Sequence, residues 1–295
     1  MATAFVFPGQ GSQFPGMGRD LFEKHPIVRE IYEKAQKIAG FNVAEISFEA
    51  DEKTLAQTQY TQPCLFTHSF AVLNILSGKV QFDSVAGHSL GEYSALAAAK
   101  VFSFEEGLAA VSERGKLMAS AKEGSMLAPI GASLEDVQAI VSDLKKDGII
   151  EIANYNAPGQ FIISGEKVIL DRAGNMLKER GAKKIIPLAV SGAFHSPLMA
   201  DAAREMEKFL AKIDFREPSK DFYANVSGEL VINPDLIRKN LVLQLTSPVK
   251  WINTIQNMSR DGVNKFIEVG PGNILQGLIK RILKEAEVLS WEKVE

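Results

Sequence analysis

Residues 124–191 contain an order of strands and helices that few folds accommodate. Short apolar runs alternate there with segments whose apolar residues recur at helical spacing, which separates predicted strands from predicted helices. Strand, helix, strand, strand, helix and strand are predicted at residues 126–130, 134–146, 149–154, 160–164, 168–180 and 184–190. This βαββαβ order predicts a ferredoxin-like unit.

The sequence on either side of this unit predicts a larger α/β domain. Short apolar runs at residues 4–7, 82–86 and 265–269 predict strands, and each is followed by glycine and then by a predicted helix. Strands that alternate with helices favour a mainly parallel sheet. We therefore expect an α/β-hydrolase-like large domain at residues 1–123 and 192–295, with the ferredoxin-like small domain, residues 124–191, inserted between its two parts.

The composition is that of a globular protein, with 46% hydrophobic and 23% charged residues among 295. The net charge of −3 argues against a nucleic-acid partner, because neutralising phosphates requires an excess of lysine and arginine. No run approaches the ~20 apolar residues of a membrane span, and the first residues lack the pattern of a leader. Cys64 is the single cysteine, so we expect a cytoplasmic protein without disulfides or membrane association.

The segment Gly87-His88-Ser89-Leu90-Gly91 is the clearest indication of chemistry. A serine between two glycines can lie on a turn too tight for neighbouring side chains, which exposes its hydroxyl. The run before it predicts a strand, and the alanine-rich run after it predicts a helix. Strand, sharp turn and helix are the context of a nucleophile elbow, so we predict that Ser89 is a nucleophile.

A serine hydroxyl needs a general base within hydrogen-bond distance, and histidine is the usual one. Of the four histidines, His25 is expected at the surface and His68 in a packed helix, predicted at residues 64–76. His88 adjoins the serine on a sharp turn, where neighbouring side chains diverge, so we expect it to line or support the pocket. His195 lies between a predicted strand and a predicted helix whose cap would be Ser196. Open α/β sheets place functional groups in such loops, so His195 is the predicted base.

A helix is predicted at about residues 104–121. Arg114 lies on its predicted inner face, with the apolar residues Leu108, Val111 and Met118. A guanidinium that faces inward requires an anion. Two interpretations remain open: an internal salt bridge or snorkelling arginine, and a fork that holds a substrate carboxylate.

Attack on an acyl carbonyl also requires hydrogen-bond donors for the oxyanion that develops. The elbow supplies the backbone N–H of Leu90. We expect the second donor to be the N–H of Gln10, because the glycines of Gly9-Gln10-Gly11 permit close backbone approach. A plain tight turn is the alternative for this loop.

Five motifs occur along the chain, in the order Phe7-Pro8-Gly9-Gln10-Gly11-Ser12-Gln13, Gly87-His88-Ser89-Leu90-Gly91-Glu92, Arg114-Gly115-Lys116, Gly192-Ala193-Phe194-His195-Ser196 and Glu268-Val269-Gly270-Pro271-Gly272. Together they closely resemble the motifs of the malonyl-CoA:acyl carrier protein transacylases, and the resemblance spans essentially the whole chain. It implies two subdomains with the active site in the cleft between them, and a serine–histidine dyad whose imidazole is oriented by a backbone carbonyl.

Carried over by motif, the resemblance implies Ser89 as nucleophile, His195 as base and Arg114 as the clamp for the malonyl carboxylate. The amides of Gln10 and Leu90 would form the oxyanion hole. Further expected site residues are Lys250, whose backbone carbonyl would hold the histidine, Asn154 and Asn156 in the cleft, and His88 and Phe194 at the pocket.

The resemblance implies transfer of a malonyl group from malonyl-CoA to the phosphopantetheine thiol of acyl carrier protein, through a malonyl-serine, for fatty-acid biosynthesis. No metal and no cofactor apart from the coenzyme A thioester substrate is expected, and we expect a monomer. Two enzymatic alternatives are a thioesterase or other serine hydrolase, and an acyltransferase of polyketide synthesis. A non-catalytic docking module for carrier protein is a third, disfavoured because it needs no serine, histidine and inward arginine together.

Overall fold

The computed structural model of the protein describes residues 2–121 and 124–295. The strands in this part of the chain form two separate sheets. They are β1 Ala2–Phe7, β2 Ser84–Gly87, β3 Ser125–Ile130, β4 Ile150–Ala157, β5 Gln160–Gly165, β6 Lys184–Pro187, β7 Asp221–Tyr223, β8 Val263–Glu268 and β9 Glu287–Ser290.

The helices lie between and around these strands. They are α1 Arg19–Lys24, α2 Pro26–Ala39, α3 Val43–Glu49, α4 Glu52–Leu55, α5 Thr58–Leu76, α6 Gly91–Ala98, α7 Phe104–Ser120, α8 Leu134–Leu144, α9 Lys167–Glu179, α10 Ala200–Leu210, α11 Pro234–Gln244, α12 Trp251–Arg260 and α13 Ile274–Ile282. Within the described ranges, none of them combines the length and the apolar character needed to cross a bilayer.

The larger sheet has five strands in the order β7-β2-β1-β8-β9, and all neighbouring strands are parallel. Phe7, the last residue of β1, pairs with Gly87, the last residue of β2. The loops that leave these two strands, which carry Gln10 and Ser89, therefore emerge side by side. Ligands of open parallel sheets bind at the carboxyl ends of the strands, which is where these loops lie.

The smaller sheet has four antiparallel strands in the order β4-β5-β3-β6. Its elements follow one another as β3, α8, β4, β5, α9 and β6, which is the predicted βαββαβ order. A parallel sheet interrupted by a separate antiparallel unit confirms the predicted fold class. The predicted limit after residue 123 falls on residues outside the described part of the chain, and the domain boundaries stay predictions.

The core explains why β1 is an uninterrupted apolar run from Ala4 to Phe7. Phe5 and Phe7 of β1 pack on one face, in a cluster that includes residues of α2, α5 and α7. Ala4 and Val6 pack on the other face with residues of α12 and α13. Parallel strands covered on both faces lack the alternation of apolar and polar residues that one-sided strands show. A third cluster joins α8 and α9 to the smaller sheet.

Several limits differ from those predicted. Helix α5 begins at Thr58 rather than at residue 64 and continues through Pro63, because most of its faces are buried and tertiary packing stabilises the extra turns. Strand β6 ends at Pro187 rather than at residue 190, and it is an exposed edge strand. Ser196 is a cap, as predicted, since its Oγ accepts the N–H of Leu198 at 3.3 Å.

Candidate active site

Ser89 lies at the tight turn between β2 and α6. Its φ of 50° falls in the left-handed region, which few non-glycine residues adopt and which a nucleophile elbow imposes. A Cβ on Gly87 would overlap the backbone of Gly91, and a Cβ on Gly91 would overlap the carbonyl of Phe7. Both glycines of the motif are therefore needed for the turn to pack against β1.

His195 lies in the loop after β6 and reaches the serine. Its Nε2 is 2.9 Å from Ser89 Oγ, and its Nδ1 is 2.7 Å from the backbone carbonyl oxygen of Gln244. A carbonyl only accepts, so Nδ1 carries the proton and Nε2 presents a lone pair to the hydroxyl. The two side chains predicted as nucleophile and base thus meet in the geometry of general-base catalysis.

The surroundings of His195 keep its imidazole neutral. The residue is 3% exposed, and burial, followed by the nearby charge of Arg114, lowers its pKa to about 3. A charged imidazole would have no lone pair for the serine proton. The site therefore holds the histidine in the form that a base requires.

The prediction that Lys250 orients the histidine is wrong, because the carbonyl in contact with the imidazole is that of Gln244. Lys250 precedes α12, and its own carbonyl accepts the N–H and the hydroxyl of Thr254 in the first turn of that helix. Gln244 is the last residue of α11, and carbonyls at the end of a helix lack intrahelical partners. The end of α11 thus supplies the acceptor.

Arg114 extends from α7 into the same site and is 1% exposed. Its Nη2 donates to Ser89 Oγ at 3.2 Å and to Gln244 Oε1 at 2.8 Å, and its guanidinium carbon lies 5.7 Å from the centre of the Tyr93 ring. Its Nε has no hydrogen-bond partner among the described residues. Burial lowers the pKa of this guanidinium, and the nearby Tyr93 and Glu92 act in the opposite direction. The geometry thus places the predicted inward arginine at the nucleophile.

A buried polar network that was not predicted from the sequence surrounds Ser89 and His195. Gln244 Nε2 donates to the carbonyl of Ser89 at 2.9 Å and to Glu92 Oε2, and Asn225 Oδ1 accepts the N–H of Ser89 at 2.7 Å. Asn225 also donates its side-chain amide to the carbonyl of Gly87 at 2.6 Å. Gln244 and Asn225 belong to none of the five motifs, so the sequence does not single them out. Glu92 could have been recognised, because a charged residue inside an alanine-rich helix indicates a specific polar contact.

The predicted oxyanion donors lie beside the serine. Gln10 and Leu90 line the cavity that contains Ser89, and neither backbone N–H has an acceptor within the described ranges. A Cβ on Gly9 would overlap the carbonyl of His88, so the Gln10 loop packs directly against the elbow. Two unused N–H groups next to a nucleophile are the elements of an oxyanion hole.

The remaining predicted site residues surround two small adjoining cavities. Asn154 and Phe194 line the cavity of about 100 Å³ that contains Ser89, Arg114 and His195. His88 and Gln10 line this cavity and also a second one of about 110 Å³, to which Asn156 contributes. His88 Nε2 donates to Asn156 Oδ1 at 2.7 Å, so it supports the wall of the site and does not contact the serine hydroxyl.

Comparison with known proteins gives the same assignment over nearly the whole chain. Residues 4–294 match the family model described as the acyl transferase domain. The chain is 41% identical over 297 residues to the malonyl CoA-acyl carrier protein transacylase of Staphylococcus aureus (strain MW2), which covers 99% of this chain and 96% of that protein.

Solved structures agree with this comparison. An acyl carrier protein S-malonyltransferase from Vibrio cholerae O1 biovar eltor is 39% identical, with a TM-score of 0.94 over 98% of this chain and 96% of that one. A malonyl-transacylase solved in complex with a type II PKS acyl-carrier protein is 37% identical, with a TM-score of 0.94 over 98% and 95%. The chain therefore belongs to the acyl transferase family, among the malonyl-CoA:acyl carrier protein transacylases, as its motifs predicted.

Proposed function

We propose that this protein transfers a malonyl group from malonyl-CoA to the phosphopantetheine thiol of acyl carrier protein through a malonyl ester on Ser89. One observation carries the proposal: Ser89 Oγ lies 2.9 Å from His195 Nε2 and 3.2 Å from Arg114 Nη2. A nucleophile between a neutral base and a buried cation fits an acyl group that ends in a carboxylate.

The first half-reaction forms the ester. Ser89 Oγ attacks the thioester carbonyl while His195 Nε2 takes its proton, and the N–H groups of Gln10 and Leu90 donate to the oxyanion. Collapse of the tetrahedral intermediate breaks the carbon–sulfur bond. Coenzyme A leaves as a thiol after His195 returns the proton to sulfur.

The second half-reaction repeats these steps in reverse with another thiol. His195 takes the proton of the phosphopantetheine thiol as its sulfur attacks the ester carbonyl. Collapse of this intermediate returns the proton to Ser89 Oγ and leaves the malonyl group on the carrier protein. The same base and the same oxyanion donors thus serve both halves, and no metal or further cofactor is required.

Arg114 gives this scheme its acyl selectivity. The carboxylate of a malonyl group lies one methylene beyond the carbonyl carbon, close to a guanidinium that contacts the nucleophile. An acetyl group would fill the same place without an anion and leave the buried cation unmatched, which a polar site disfavours strongly. Asn154 and Phe194, in the wall of the same cavity, would contact the rest of the malonyl group.

The hydrolase alternative is less well supported, because an ordinary acyl chain offers the buried guanidinium no anion. The relatives named above are transacylases or malonyltransferases of acyl carrier protein. A location in the cytoplasm and a monomeric state stay part of the proposal, as do domain limits at 1–123, 124–191 and 192–295. A supply of malonyl groups to fatty-acid rather than polyketide synthesis is likewise proposed.

The proposal is tested with purified protein, holo acyl carrier protein and malonyl-CoA. We expect malonyl-carrier protein to accumulate, with acetyl-CoA a poor donor and with hydrolysis of malonyl-CoA slow when no thiol acceptor is present. Rapid hydrolysis that the carrier protein does not divert would contradict the proposal and favour a thioesterase.

A further inference from the structure

Glu92 is a buried carboxylate beside the active site that the proposed mechanism does not use. It lies in the first turn of α6 and is 0% exposed. Its Oε1 accepts the backbone N–H of Asn225 at 3.0 Å, and its Oε2 accepts Gln244 Nε2–H. Burying a carboxylate away from water destabilises the fold unless its oxygens accept hydrogen bonds, and here both oxygens accept N–H donors.

The two donors require two acceptors at residue 92. The carboxylate provides them when it is ionised, above the pKa of about 7 to which burial raises Glu92. A side-chain amide offers one acceptor and turns N–H groups toward the other donor. A glutamine at this position could keep the bond to Asn225 through its oxygen. Its own N–H groups would then oppose the N–H groups of Gln244.

The orientation of the Gln244 amide matters because its two ends face different partners. Its nitrogen donates to Glu92 and to the carbonyl of Ser89, and its oxygen accepts Arg114 Nη2 at 2.8 Å. Asn225 Oδ1, 3.3 Å from the same nitrogen, is a further acceptor on that side. If the amide turned over, its N–H groups would face the N–H groups of the guanidinium, and Arg114 would lose its only side-chain amide acceptor among the described residues.

We propose that Glu92 is a positioning residue that holds the Gln244 amide with its oxygen toward Arg114, and so sets the place of the carboxylate clamp. The inference rests on the clamp role proposed above for Arg114. It assigns to Glu92 an effect on which acyl group is accepted, beyond any effect on stability. The backbone carbonyl of Gln244, which holds His195, does not depend on how the side-chain amide is turned.

The test substitution is Glu92→Gln, which preserves shape and removes one acceptor. Initial rates with malonyl-CoA and with acetyl-CoA give the ratio of the two kcat/KM values. We expect this ratio to fall roughly tenfold or more, the effect of a buried hydrogen-bonding group left unmatched. The loss should appear mainly as a higher KM for malonyl-CoA, because a displaced clamp weakens ground state and transition state together.

Glu268→Gln is the matched control. Glu268 is also 0% exposed, and its carboxylate also accepts backbone N–H groups and a glutamine amide, from Leu275 and Gln276. It does not line the cavity that contains Ser89. We expect Glu268→Gln to lower stability without changing the malonyl-to-acetyl ratio.

Arg114→Ala, alone and combined with Glu92→Gln, separates this inference from the proposed function. We expect Arg114→Ala to remove the preference for malonyl-CoA over acetyl-CoA. If Glu92→Gln does not lower the malonyl-to-acetyl ratio further in the Arg114→Ala background, the two residues act through one interaction. An unchanged ratio in Arg114→Ala would contradict the clamp itself. Two results would overturn only the role of Glu92. In the first, the malonyl-to-acetyl ratio falls in Arg114→Ala but not in Glu92→Gln. In the second, Glu92→Gln lowers kcat/KM equally for both substrates.

A second variant covers the case in which Glu92→Gln does not fold. Gln244→Met keeps the backbone carbonyl for His195 and removes the amide that links Glu92 to Arg114. We expect it to lower the malonyl-to-acetyl ratio as Glu92→Gln does. A normal ratio in this variant would overturn the inference.

Discussion

At the scale of single residues, the proposed nucleophile and the proposed base both have a backbone conformation that residues other than glycine rarely adopt. Ser89 has φ 50° and His195 has φ 58°. Such conformations persist only where the surrounding structure fixes them. Here the amide of Ser89 is held by Asn225, and the imidazole of His195 is held by the carbonyl of Gln244. The dyad is thus positioned before substrate arrives.

Arg114→Ala tests the role of the cation at this scale. We expect kcat/KM for malonyl transfer to fall roughly 100-fold or more, since a charge-assisted bidentate hydrogen bond is lost in a buried site. Acetyl transfer should change little, because an acetyl group makes no such bond. Steady-state rates with both thioesters and one carrier protein measure this, and equal losses would contradict the clamp.

Individual residues differ in how far the sequence could predict them. Ser89 and Arg114 could be predicted because a tight glycine turn and a charge on an apolar helix face are visible in sequence. The role of Gln244 could not, because it depends on where α11 ends in three dimensions. The same reason explains the error at Lys250, whose carbonyl is used within α12.

At the scale of elements, α7 carries Arg114 into the core, and its start is well defined. Ser103 accepts the N–H of Glu106 at 3.1 Å, and the Glu106 carboxylate accepts the N–H of Ser103 at 2.7 Å. This capping box satisfies N–H groups that a helix start leaves unpaired. The helix was predicted from residue 104, which is where it begins.

Ser103→Ala should lower the free energy of unfolding by about 1 kcal/mol, the usual cost of losing an N-cap. Urea unfolding followed by circular dichroism measures it. The malonyl-to-acetyl ratio should stay unchanged, because the cap lies about three helical turns before Arg114 along α7. An unchanged stability would show that α7 does not depend on this cap.

Other helices and strands could not be predicted from apolar periodicity in the sequence. Helix α11 exposes Leu236 and Leu243, so its apolar residues do not form a single inner stripe. Strand β7 has only three residues, and the side chains of β9 are partly exposed. These elements form because neighbouring strands and helices supply partners, which periodicity along one segment does not reveal.

At the scale of the whole molecule, the site lies where the two sheets meet. Asn154 of β4 forms a bridge with Val249, which precedes α12, so the smaller sheet is tied to the larger part of the chain beside the cavity. The order of elements within 124–191 made the fold class predictable. The pairing of Asn154 with Val249 could not be predicted, because it depends on where residues far apart in the sequence meet in three dimensions.

Acid should destabilise the molecule partly through His68. Burial lowers the pKa of this 4% exposed imidazole to about 4, below the ordinary value of 6.5. Between these values the unfolded chain binds a proton that the folded chain does not, so stability is retained above pH 6.5 and falls as pH drops toward 4.

The contribution of His68 is measured by comparing how the free energy of unfolding depends on pH in the wild type and in His68→Gln. We expect the free energy of unfolding of the wild type to fall more steeply in this interval, by up to ~1.4 kcal/mol per pH unit. Glu92 acts in the opposite sense in both proteins, because burial raises its pKa to about 7, so the comparison removes its effect. Parallel pH profiles would contradict the contribution of His68.

Mass spectrometry of the protein after a brief incubation with malonyl-CoA, without carrier protein, tests the proposed chemistry most directly. We expect one malonyl group per chain, on the peptide that contains Ser89. It should be lost when carrier protein is added and should not form in Ser89→Ala. A chain that transfers malonyl groups without forming this ester, or that carries the ester on another residue, would contradict the proposed chemistry.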